Sequence, residues 1–103
     1  MPWISVAKAS DLAVGTANVV DAGGRQIALC NTGEAFHAID DICTHDGGSL
    51  DQGALEGYSI ECPRHGARFD VRTGKVLALP AVRPVRTYPT RVVAGSVEVD
   101  VPC

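Results

Sequence analysis

Two short segments carry side chains that can hold a metal: Cys43-Thr44-His45 and, after sixteen intervening residues, Cys62-Pro63-Arg64-His65. Each offers one thiolate and one imidazole, so two such loops facing each other make a four-ligand site. Two cysteines and two histidines also satisfy a tetrahedral zinc ion, and ligand identity alone does not choose. Structural zinc sites usually group like ligands, whereas here each pair is mixed. A one-residue gap in the first loop and a two-residue gap in the second suit a centre wider than one ion, with both thiolates on one metal and both imidazoles on the other. The alternative, a zinc-stabilised interaction module, predicts a colourless protein without acid-labile sulfide.

The matching residues extend past the ligands. Cys43-Thr44-His45-Asp46-Gly47-Gly48 and Cys62-Pro63-Arg64-His65-Gly66-Ala67-Arg68-Phe69-Asp70 resemble the two cluster-binding loops of the Rieske family. Asp70-Val71-Arg72-Thr73-Gly74-Lys75 and Leu79-Pro80-Ala81-Val82-Arg83-Pro84-Val85 resemble the strand and proline-containing loop that cover the cluster there, and the resemblance spans roughly residues 36 to 101. It implies one Rieske-type [2Fe-2S] cluster, with Cys43 and Cys62 on an inner iron that stays ferric and His45 and His65 on an outer iron that changes valence. Gly47, Gly48 and Gly66 would let the loops turn tightly and bring backbone N–H groups near sulfur. Pro80 and Pro84 would stiffen the covering loop.

Within that family the chain is similar to the stand-alone ferredoxins that feed oxygenases. The bc-complex type has an extra disulfide-forming cysteine in each loop, where Gly48 and Arg64 stand here, and hydroxyl donors where this chain has Ala67 and Phe69. Hydrogen bonds to cluster sulfurs stabilise the reduced state, so their loss predicts a potential low in the Rieske range of about −150 to +300 mV. The resemblance implies transient partners: an NAD(P)H-dependent flavoprotein reductase as donor and a terminal non-haem iron oxygenase as acceptor. The competing reading is a Rieske small subunit held permanently in a larger redox enzyme, similar to that of nitrite reductase.

The elements that must position these loops read as β-strands. Short apolar or alternating runs cover Trp3 to Ala7, Asn18 to Val20, Ile27 to Cys30, Ala35 to Ile39, Tyr58 to Cys62, Arg68 to Val71, Val85 to Tyr88, Arg91 to Val93 and Ser96 to Val101. Asp21-Ala22-Gly23-Gly24, Asn31-Thr32-Gly33, Thr73-Gly74 and Ala94-Gly95 punctuate them with residues that accept positive φ. The last hairpin alternates Val97, Val99 and Val101 against Ser96, Glu98 and Asp100, which predicts one buried face. One helical turn is expected around Ser10 to Val14, with Ser10 as its cap. The fold class is all-β: a Rieske-type antiparallel sandwich or barrel base in one domain, residues 1–103, with a small cluster-binding lobe inserted at approximately 41–84.

The remaining residues narrow the chemistry. If the centre takes His45 and His65, only His37 of the three histidines is left, too few for the two-histidine, one-carboxylate iron site that activates oxygen. No Gly-x-Gly-x-x-Gly follows a strand, which places flavin or nicotinamide on another protein. The chain therefore reads as a carrier and not an enzyme. His37 reads as a strand histidine with an ordinary hydrogen bond, Cys30 as a small core residue, and Cys103 as an exposed residue for which disulfide exchange has no support in the sequence. Asp40, Asp41, Asp46, Asp51 and Glu56 read as a solvated face, with partner docking as the sharper alternative. A net charge of −3 argues against nucleic acid, 46% hydrophobic and 20% charged residues fit an ordinary globular core, and no apolar run approaches a membrane span. With no basic, apolar leader at Met1 to Lys8, a cytoplasmic protein is expected.

Overall fold

The computed structural model describes residues 3–41, 50, 53–63, 66–79 and 83–101. Among them eleven strands run in chain order: β1 (Trp3–Lys8), β2 (Thr16–Ala22), β3 (Arg25–Asn31), β4 (Phe36–Asp40), β5 (Leu55–Glu56), β6 (Ser59–Glu61), β7 (Arg68–Asp70), β8 (Val76–Ala78), β9 (Thr87–Tyr88), β10 (Thr90–Val93) and β11 (Ser96–Asp100). They form three antiparallel sheets with strand orders β1-β11-β10, β2-β3-β4-β9 and β5-β6-β7-β8. The all-β reading of the sequence holds. No helix of the described residues is long and apolar enough to cross a membrane.

The β2-β3-β4-β9 sheet is the shared middle layer, and strand β3 shows why. Side chains alternate across a strand, and all four of Ile27, Ala28, Leu29 and Cys30 are fully buried. Ile27 and Leu29 pack with Ala22, Ala38, Val97 and Val99 on the side of the β1-β11-β10 sheet. Ala28 and Cys30, with Ile39 from β4, pack with Ile60, Cys62, Phe69 and Val71 of the β5–β8 sheet. A strand buried on both faces loses the polar alternation of a half-exposed one, which accounts for the unbroken apolar run. The small residues face the β5–β8 sheet and let it approach closely.

Turn chemistry fixes the registers. Val93 pairs with Ser96 across Ala94-Gly95, whose φ values are +51° and +81°, the two left-handed positions that a twisted two-residue hairpin needs. Val97 and Val99 are buried on the expected face.

Three expectations need correction. Ser10 does not cap a helix: it lies inside a single 3-10 turn, Ala9–Asp11, entered from Lys8, and the Ala9 N–H is taken by the Gly95 carbonyl at 2.8 Å. That bond hands the chain from β1 directly into the turn, so no hydroxyl is needed at its start. Strands β5 and β8, of two and three residues, were not expected. Both gain strand geometry from pairing with β6 and β7, a tertiary effect that outweighs weak local preference.

Candidate metal centre

Of the four residues read as ligands, Cys62 is described, and Cys43, His45 and His65 lie outside the described residues. So do Asp46, Gly47, Gly48, Asp51, Arg64, Pro80 and Cys103. Cys62 sits where β6 ends, in a hairpin tip closed on itself by two backbone bonds. Its N–H donates to the Ala67 carbonyl at 2.6 Å, and its carbonyl accepts the Gly66 N–H at 3.0 Å. Gly66 completes the reversal at φ +79°, a region that L side chains rarely adopt. The Cys62 thiol is free of any disulfide and only 1% exposed.

The described residues on either side of the 42–49 segment are both buried. Asp41, at one end of the 42–49 segment, is buried and anchored by its N–H to the Gln26 carbonyl at 3.2 Å. Leu50, at the other end, is fully buried in the same cluster as Cys62. From Leu50 the chain runs directly beside β6: the Gly53 N–H donates to Leu50 and the Glu61 N–H to Ala54, both at 3.0 Å. A Cβ on Gly53 would lie 1.7 Å from the Glu61 carbonyl oxygen, so only glycine permits this approach. Leu50, which follows the first segment, thus shares its core with Cys62 of the second. A shielded thiol at a tight tip, packed in one core with Leu50, fits a thiolate-ligated cluster that must be kept from bulk water.

A third segment closes over the lobe. The Val85 N–H donates to the Gly74 carbonyl at 2.9 Å, and an added Cβ on Gly74 would lie 2.0 Å from the Val85 oxygen. Pro84-Val85 is therefore pressed onto the β7–β8 turn. Ala67 and Phe69 are fully buried in the core around Cys62 and carry no hydroxyl.

Burial, and secondarily the Asp41 charge, pushes the Cys30 thiol up to about 12, so it is an inert core residue as expected. His37 lies in β4; burial lowers its pKa, while Asp70 opposes the shift. Its ring meets Tyr58 edge-on, with centroids 6.4 Å apart. The acidic set is not simply a solvated face. Asp41 is buried, and Asp40 accepts a short hydrogen bond from the Tyr88 hydroxyl, which in turn accepts one from Arg25 at 3.1 Å. These bonds hold the end of β4 from which the first loop departs. Among the described residues no group of three or more His, Cys, Asp or Glu side chains is placed to hold a metal ion.

One cluster was not legible in the sequence. Asp70 takes both Nε and Nη2 of Arg72, at 3.1 and 2.9 Å, as well as the Arg72 N–H at 2.8 Å. The Arg72 guanidinium stacks 3.9 Å from the Tyr58 ring centroid. The Asp-x-Arg spacing permits that fork, but nothing local pointed to Tyr58.

Comparison with known proteins agrees with this geometry. The sequence matches the Rieske [2Fe-2S] domain over residues 2–89. It is 40% identical over 90 residues, 87% of this chain and 86% of the relative, to the ferredoxin component of the naphthalene 1,2-dioxygenase/salicylate 5-hydroxylase systems of a Ralstonia species. The fold superposes on the ferredoxin of carbazole 1,9a-dioxygenase from Nocardioides aromaticivorans IC177 with a TM-score of 0.92 at 36% identity, covering 96% of this chain and 97% of that one. It also matches a chain in the complex of reduced oxygenase and oxidized ferredoxin in carbazole 1,9a-dioxygenase, with a TM-score of 0.89 at 39% identity and coverage of 94% and 91%. The chain belongs to the Rieske [2Fe-2S] family, and the relatives named above are ferredoxins or ferredoxin components of dioxygenase systems, electron carriers and not enzymes in their own right.

Proposed function

We propose that this chain is the ferredoxin of a ring-hydroxylating oxygenase system, carrying single electrons from an NAD(P)H-dependent flavoprotein reductase to a terminal non-haem iron oxygenase. Cys43, His45, Cys62 and His65 hold the cluster, which supplies one reversible electron. Residues 1–103 act as one cytoplasmic unit, with the lobe at about 41–84 carrying the redox site. The observation that bears most weight is the buried Cys62 at the self-closed tip beside Leu50 and Gly53. The names of the relatives, ferredoxin components of dioxygenase systems, support the same reading.

The chain's own residues do the rest. The glycine at 66 allows the tip to turn, and the glycine at 53 lets the first loop's return lie against β6. Ala67 and Phe69 offer no hydroxyl to a cluster sulfur or ligand cysteine, which favours a low potential. Contacts with partners should be brief and small, as redox encounters are.

The test is reconstitution. Reductase, terminal oxygenase, NAD(P)H and aromatic substrate should give product only when the purified ferredoxin is present. Constant-ratio co-purification with one large enzyme, and no electron acceptance from any flavoprotein reductase, would overturn the carrier reading. Cys43→Ala, His45→Ala, Cys62→Ala and His65→Ala should each abolish the cluster's visible absorption, whereas Cys30→Ala should retain it.

A further inference from the structure

The β5–β8 sheet packs on the middle sheet through the core around Phe69, yet the joint is not filled along its whole length. A cleft of about 370 Å³ lies between them, lined by Phe36, His37 and Ala38 of β4, by Val71 and Arg72 after β7, and by Thr87 of β9. Where side chains do not fill a junction, dispersion contacts are absent and other interactions must fix its geometry.

Tyr58, in the β5–β6 turn, rests against two residues that line this cleft. Its ring receives the Arg72 guanidinium at 3.9 Å on one side and meets the His37 ring at 82°. The Glu34 carboxylate acts on its hydroxyl and raises the phenol's pKa. Asp70 holds Arg72 in a two-point fork, which keeps the guanidinium plane available for stacking. Glu34 and His37 belong to the middle sheet and its β3–β4 loop, whereas Tyr58, Asp70 and Arg72 belong to the β5–β8 sheet and its turns. The Val71 N–H also donates to the Tyr58 carbonyl at 2.8 Å, which ties the two turns together.

We propose that Tyr58 is a positioning residue that latches the cluster-bearing lobe to its base across this cleft, and so fixes the direction in which the Cys62 hairpin meets a redox partner. The proposal rests on the reading of that hairpin as part of the redox site. Tyr58 touches neither cluster nor partner; it acts through the orientation of β6 and β7. Guanidinium stacking on a tyrosine face and an edge-on contact between two rings are each specific in direction, unlike the apolar core beside them.

The experiment uses the holoprotein carrying Tyr58→Ala, Tyr58→Phe or Arg72→Lys. Tyr58→Phe removes only the hydroxyl that faces Glu34's charge, and Arg72→Lys removes the planar fork and stack while keeping the charge. In Tyr58→Ala, amides of residues 53–79 should exchange about tenfold faster while those of β1, β10 and β11 stay unchanged. The second-order rate constant for reoxidation by the terminal oxygenase should fall by a similar factor, with the midpoint potential and the electron paramagnetic resonance spectrum unaltered. Tyr58→Phe and Arg72→Lys should give smaller effects in the same direction. Lobe exchange within about twofold of the parent, or equal acceleration in every sheet, overturns the latch. Should Tyr58→Ala not fold, Tyr58→Phe combined with Arg72→Lys provides the same comparison. The exchange measurement does not depend on which partner the protein serves: absent transfer from the parent protein marks a mistaken partner, whereas altered exchange with unaltered transfer overturns the orienting role.

Discussion

Alanine at position 74 would place a methyl group where the Val85 carbonyl already lies, 2.0 Å from its oxygen and 3.1 Å from its carbon. The obstruction is backbone, which cannot swing aside like a side chain. Gly74 also has φ +79°, and a left-handed non-glycine residue costs roughly 1–2 kcal/mol. To make room, Val85 must withdraw, which breaks its 2.9 Å bond to the Gly74 carbonyl, a loss of about 1 kcal/mol. Val85 is only 4% exposed, and partly uncovering it removes about another 1 kcal/mol. The local cost is then about 3–4 kcal/mol, of which the share falling on the 74–85 contact is roughly 2 kcal/mol.

Gly57 is the control, since it has φ +58° but nothing within 4 Å of an added Cβ. Gly57→Ala should carry only the conformational cost and leave Val85 in place. Amide exchange at Val85 reads the difference: 2 kcal/mol corresponds to about thirtyfold loss of protection in Gly74→Ala. Val85 protection equal to the parent in Gly74→Ala, or equally reduced in Gly57→Ala, would refute the packing argument.

Three further outcomes are expected. The Cys30 thiol, pushed up to about 12 from an ordinary value near 9.0, should resist alkylation at pH 8 until the protein unfolds. Its folded pKa is raised, so its contribution to stability is intact below pH 9 and is lost as the pH climbs toward 12; Cys30→Ala should flatten that alkaline limb of a stability profile. The Asp70 carboxyl is held low chiefly by its bonds to Arg72, so the stability it lends is present above the ordinary carboxylate range and fades as the pH falls through its lowered folded value. Arg72→Leu should remove that part of the acid limb in urea titrations at successive pH values. Ala67→Ser restores a hydroxyl at the second position after His65 and should raise the midpoint potential in a potentiometric titration; a fall would contradict the hydrogen-bond argument.

Much of the fold was readable because local and tertiary signals agree where a strand has one buried face. Ser96–Asp100 alternates, its turn carries Ala94-Gly95, and the hairpin follows. Strand β3 was readable as a run, but its meaning was not: Ile27 to Cys30 is apolar throughout because sheets cover both sides. The two-residue β5 and three-residue β8 left no periodicity to detect, and β8 is further masked by the irregular register opposite Arg68 and Phe69. At the site, paired Cys and His residues announce themselves by spacing, which is how Cys62 stands out as a candidate. The roles of Asp40, Asp41, Glu34 and Tyr58 depend on partners far along the chain, which local pattern does not carry. Charge alone therefore placed Asp40 and Asp41 in solvent, where Tyr88 and the core in fact receive them.

Because β3 is clad on both sides, it acts as a common wall between two rooms. Ile27 and Leu29 furnish one, Ala28 and Cys30 the other, and neighbouring residues share one stretch of backbone. A bulkier side chain at Val97 or Val99 would lean on that wall from behind and shift the seat of Phe69 and Cys62 without approaching them. Tightly packed interiors transmit such displacements. Evolutionary tuning of the carrier thus has a remote handle, on the sheet that lies across β3 from Cys62.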